Sequence, residues 1–237
     1  MAALDRPAEG GLLYARQAVL ACLNGDRGLV NRAVTRSVDQ HGTVDPAQIA
    51  AGERLLARCA SFFPGEHARL IGEMKARAER ATDPLLQAEQ AGAEAERDGR
   101  PEVLRAAAAR MLAIGDPLLL SSHGSLVRLT MADAEAKKEG GLWVDNKVVR
   151  RDDGNEFLLW SAALSLGMCA GTGPCGSDGL VETACILHGI CKADREAYFR
   201  WFFDEGGLGR DEIDTIFARA DRVRRAVREQ DIGFFVR

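Results

Sequence analysis

The chain has 237 residues, of which 46% are hydrophobic and 28% charged, with a formal net charge of -4. That length can bury a core without help from metal or disulfides, and that composition excludes long disorder. A net negative chain gives no reason to expect a polyanion, so no nucleic-acid partner is expected. No apolar run approaches the ~20 residues of a membrane-spanning helix.

Residues Met1 to Gly11 lack the basic start and apolar block of a signal peptide. Either the protein is cytoplasmic, or a leader was removed upstream and Met1 is an added start. Helix starts are marked by Asp45-Pro46, Asp83-Pro84 and Asp116-Pro117, where a carboxylate can cap and a proline suits the first helical position. Arg100-Pro101 has the proline without the capping acceptor. A first helix from about Leu12 to Leu23, with Leu12, Ala15, Val19 and Leu23 on one face, is expected to pair antiparallel with a second between Asp26 and Gln40 that carries Val34 and Val38.

A third helix from Pro46 carries Ile49, Leu55, Leu56, Cys59 and Phe62. A fourth from Glu66 to Ala81 is expected to bury Leu70, Ile71 and Met74. The Ala- and Glu-rich stretch from Leu85 to Ala95 has few large apolar groups and reads as a solvated helix. A helix with Val103, Leu104, Ala107, Met111 and Leu112 ends at Gly115. Leu142 to Val144 and Val148-Val149, on either side of Asp145-Asn146-Lys147, predict one short hairpin.

Beyond the hairpin, helices are expected over Asn155 to Met168, Asp178 to Leu187, Arg195 to Phe203 and Arg210 to Glu229. The last has a basic flank of Arg222, Arg224, Arg225 and Arg228 that reads as solvated. The whole is an all-α array of about nine or ten helices with a β-hairpin near 142–149. It divides into an N-terminal array, 1–136, and a C-terminal unit, 137–237, stiffened by disulfides, with one continuous domain as the alternative.

Cys169, Cys175, Cys185 and Cys191 form C-x5-C-x9-C-x5-C, each half placing one cysteine in the last turn of a helix and the other just beyond it. Local bridges Cys169 to Cys175 and Cys185 to Cys191 explain that spacing first. A structural zinc site in a cytoplasmic protein is an alternative, although five intervening residues are loose for zinc, and free buried thiols are a third. Cys22 and Cys59 are candidates for a further bridge, or simple core. Bridges imply an oxidising compartment, hence a periplasmic or secreted protein.

Catalytic signatures are weak. Ser121-Ser122-His123-Gly124-Ser125 sets hydroxyls beside an imidazole but lacks the strand and elbow that expose a nucleophile. His188 is the other imidazole weighed for a hydrolase. No catalytic residue, metal or cofactor is expected. The sequence leads to an exported, non-enzymatic binding or structural protein that contacts a protein partner near the cysteine loops and the aromatic residues Tyr198, Trp201 and Phe202. A hydrolase using Ser122 and His123 or His188 is the alternative.

Overall fold

The computed structural model describes residues 10–23, 27–60, 66–78, 83–121, 126–168 and 180–237. Among them are fourteen α-helices and one two-stranded hairpin, an all-α fold. In chain order they are α1 (Gly11–Leu23), α2 (Arg27–His41), α3 (Pro46–Cys59), α4 (Glu66–Ala78), α5 (Pro84–Asp98), α6 (Pro101–Ile114), α7 (Pro117–Ser121), α8 (Leu126–Ala132) and α9 (Ala134–Lys138). Strands β1 (Leu142–Val144) and β2 (Lys147–Val149) precede α10 (Asn155–Gly167), α11 (Leu180–His188), α12 (Arg195–Glu205), α13 (Arg210–Glu229) and α14 (Ile232–Phe235). The chain forms two compact units: unit 1 is Met1–Pro84 with Gly176–Phe202, and unit 2 is Leu85–Cys175 with Phe203–Arg237.

In unit 1, Val30 of α2, Ala51 of α3 and Cys185 and Ile186 of α11 make a buried cluster, with Leu55, Leu56, Leu187 and Cys191 packed on its rim. Gly52 allows α3 to lie close to α2, since a Cβ there would sit 2.7 Å from Val30 Cγ1. Helix α1 takes α4, not α2, as its main neighbour. It buries Leu12 and Leu13 together, so its apolar surface is wider than the single expected stripe. Ile71, expected to be buried, is 42% exposed, and Val38 and Ile49 on the apolar stripes of α2 and α3 are each 44% exposed. Helical spacing aligns such residues with each other but does not decide which of two apolar stripes meets a neighbour.

The Asp-Pro pairs act in more than one way. Asp45 accepts from the Ala47 amide at 2.8 Å, and Asp116 accepts from Leu118 at 2.9 Å, each closing the first turn of its own helix. Asp83 is 1% exposed, and its Oδ2 accepts from the Leu12 amide at 2.9 Å, placing a carboxylate at the positive end of α1.

In unit 2, α10 and α13 pack along their length. Their approach depends on Gly167, where a Cβ would lie 2.5 Å from Val223 Cβ and 2.7 Å from the Ala220 carbonyl oxygen. The hairpin pairs Leu142 with Val149 and Val144 with Lys147. Its turn is therefore two residues, Asp145 and Asn146, with φ of +56° and +59°, rather than the three expected. The chain end locks onto it, with Trp143 Nε1 donating to Gly233 O at 2.9 Å and the Asp145 amide to Phe234 O at 2.9 Å. Helix α5, expected to be solvated, buries Leu85, Ala88 and Ala95, with Gly92 beside them. Small side chains make that contact, so size alone hid it.

Candidate functional site

Cys22 is bonded to Cys59 across 37 positions with Cα atoms 5.5 Å apart, joining the end of α1 to the end of α3. Cys185 is bonded to Cys191, six positions on, with Cα atoms 4.3 Å apart. These two sulfurs are spent on each other and are not thiolate ligands for zinc. Among the described residues no group of three His, Cys, Asp or Glu side chains is placed to hold a metal ion. Cys169, Cys175, Ser122 and His123 lie outside the described residues. His188 ends α11 as an exposed residue. Bonded cysteine pairs are the chemistry of an oxidising compartment.

Helix α11 is fixed to α3 by polar contacts as well as by the core. Glu182, 8% exposed at its side chain, pairs with Arg58 and, at 3.5 Å, with Arg54. Gln48 Nε2 donates to Ile186 O at 2.8 Å. The exit from α11 bends at Gly189, φ +69°, whose amide donates to Cys185 O at 3.0 Å. Asp194 then opens α12 by accepting from the Ala197 amide at 2.8 Å.

Five of the eleven residues of α12 are aromatic: Tyr198, Phe199, Trp201, Phe202 and Phe203. At about 100° per residue they cover an arc of about 200°, twice the width that one buried stripe needs. Phe203 takes the buried side at 4% exposure, and Phe202 is left 50% exposed. Tyr198 and Trp201 are half-buried. The rings form a ladder, with Tyr198 stacked on Phe202 at 6.1 Å and 21° between planes, Tyr198 to Trp201 at 6.2 Å, and Phe199 edge-on to Phe202 at 6.5 Å. The three aromatic residues singled out from sequence thus share one helix face.

No protein-family model, curated protein or solved structure matches the chain. The surface is therefore read from its own chemistry. Two cations sit on its rings: Lys192 Nζ lies 5.3 Å from the Trp201 centroid, and Arg195 Cζ lies 5.2 Å from that of Phe199. Burial lowers the Arg195 pKa, and a guanidinium stays charged at any pH the protein meets. The opposite side of α12 is polar, with Glu196 and Arg200 paired at 3.1 Å one turn apart and Asp204 exposed. The helix thus presents apolar rings with bound positive charge on one side and a self-neutralised ion pair on the other.

Sequence reasoning did not single out Lys192 and Arg195. The i, i+4 spacing of Arg195 and Phe199 was a readable signal, whereas Lys192 reaches Trp201 only because the α11 to α12 connection turns back. A second ring-cation group also went unread, in unit 2. Trp160 of α10 is 1% exposed, with Arg219 Cζ 4.8 Å and Arg222 Cζ 5.7 Å from its ring. Arg219 grips Glu156 through two hydrogen bonds of 2.7 and 2.9 Å, and that grip holds the Glu156 carboxyl below its usual pKa. Arg222 pairs with Asp145 of the hairpin turn while its side chain stays 52% exposed, so this part of the flank is both solvated, as expected, and tied to the hairpin.

Proposed function

We propose that this chain is an exported, non-enzymatic binding protein of the periplasm or the extracellular space that holds a protein partner on the aromatic face of α12. The observation that carries the reading is the ladder of Tyr198, Trp201 and Phe202, in which Phe202 stands half open, stacked on Tyr198. Aromatic side chains give large contact area at low entropic cost and are enriched where proteins meet. The bonded pairs Cys22–Cys59 and Cys185–Cys191 support the compartment.

A photo-crosslinking side chain placed at position 202 in the native host tests the face, with position 204 on the polar side as control. The expected result is one defined protein adduct from 202 and none from 204. Equal adducts from both, or none from 202, would overturn the reading. For the compartment, protein isolated under acid quench with thiol alkylation should carry no label on Cys22 or Cys59. Labelled thiols there would remove the argument for export.

A further inference from the structure

The two described disulfides have unequal surroundings. Cys22 and Cys59 are each 8% exposed, so both sulfurs of that bridge sit on buried residues. In the other bridge Cys185 is 6% exposed and belongs to the α2, α3 and α11 core, while Cys191 lies partly exposed on its rim. Exchange with a disulfide requires a thiolate to reach one of its sulfurs, so access separates the two bridges.

We propose that Cys185–Cys191 is a reducible clasp that keeps the aromatic face of α12 in place, opened by a dithiol reductant. The first thiolate of the dithiol attacks Cys191 Sγ, forming a mixed disulfide and expelling the Cys185 sulfur as a thiolate that takes up a proton. The second thiolate of the dithiol attacks its own partner sulfur in that mixed disulfide and releases Cys191, also to be protonated. Two electrons pass to the protein, and the dithiol leaves as its cyclic disulfide.

The clasp is coupled to the face through the chain that follows it. Cys191 is joined directly to Lys192, whose ammonium rests over Trp201, and Asp194 caps α12 two residues later. The α11 end itself does not depend on sulfur, because the Gly189 amide bonds to Cys185 O at 3.0 Å and the Ile190 amide to Ala184 O at 3.3 Å. Opening the bridge therefore leaves α11 formed and loosens the segment from Lys192 through Phe202. This holds whatever the face binds, so its failure and that of the binding reading are separable.

The test is a dithiothreitol titration of the full chain, with alkylation and peptide mapping of each cysteine, alongside amide hydrogen exchange. Cys185 and Cys191 are expected to alkylate at a dithiothreitol concentration about ten-fold below that for Cys22 and Cys59. At that point exchange should rise over residues 192–202 and stay unchanged in α1 and α3. The C185S/C191S variant should show the same raised exchange without reductant. Simultaneous or later reduction of Cys185–Cys191 would overturn the proposal. So would early reduction with no change over 192–202; this measurement decides the matter even if the variant fails to fold.

Discussion

The cations set against aromatic rings around Trp160 and along α12 belong to regions that differ in how far their rings are buried. Around Trp160 the ring is sealed in the core, and the guanidinium groups of Arg219 and Arg222 are each tied to a carboxylate, Glu156 and Asp145. Along α12 the Phe202 ring is half open, and Lys192 and Arg195 sit on Trp201 and Phe199 of the same helix. The same pairing is a strut in one place and a presented surface in the other. What separates them is the ring: Trp160 is covered, whereas Phe202 still has area to give up. The indole N–H makes the point again. Trp143 donates to Gly233 O, while Trp160 Nε1 has no hydrogen-bond partner among the described residues, so Trp160 serves by bulk and by its face.

The contrast breaks most sharply at Trp160 itself. Trp160→Ala empties a filled site and removes the platform under two guanidinium groups, and is expected to cost about 3–5 kcal/mol in urea unfolding. A loss under about 1 kcal/mol would mean the ring is not the strut described here. Gly167→Ala comes next, at about 1–3 kcal/mol, since its Cβ would meet the Val223 side chain and the Ala220 carbonyl oxygen, and backbone cannot move aside cheaply. Thermal unfolding of that variant should also show a lower midpoint, and an unchanged midpoint would place α10 and α13 further apart than described.

A smaller effect should appear with pH. Arg219 holds Glu156 below its ordinary pKa in the folded state, so this grip stabilises the fold above the carboxylate range and is lost as pH falls through the folded value. Glu156→Gln should lower stability at neutral pH and flatten the decline in urea midpoint between about pH 6 and about pH 3. A decline as steep as in the unaltered chain would show that other carboxylates carry the acid limb. Phe202→Ser, at the other end of the scale, should change stability by no more than about 0.5 kcal/mol while abolishing the adduct formed when the crosslinking side chain is placed at position 201. A destabilisation like that of Trp160→Ala would make the ladder a second strut.

How much of this was legible in sequence depends on how far each contact reaches. Local chemistry could be read directly: Asp45 and Asp116 cap the helices they precede, and the hairpin fell where expected, with its turn one residue shorter than read. Asp83 looked the same on paper, yet its carboxylate reaches 71 positions back to α1, and nothing in an Asp-Pro pair specifies that. The Arg219 to Glu156 grip spans 63 positions and was equally hidden. Arg222 read as solvated, and it is exposed, but its partner Asp145 lies 77 positions away and was not readable. At the candidate site, five aromatics in one short helix were plain from composition. Which of them would be covered was not, because an arc that wide offers more than one way to face inward.

The bridge from Cys22 to Cys59 has a practical consequence. All of α2 and nearly all of α3 lie between its two ends. A protease that cuts anywhere between them makes two peptides that still migrate together. Such a nicked molecule would pass as intact on a gel run without thiol and fall into two pieces once mercaptoethanol is added.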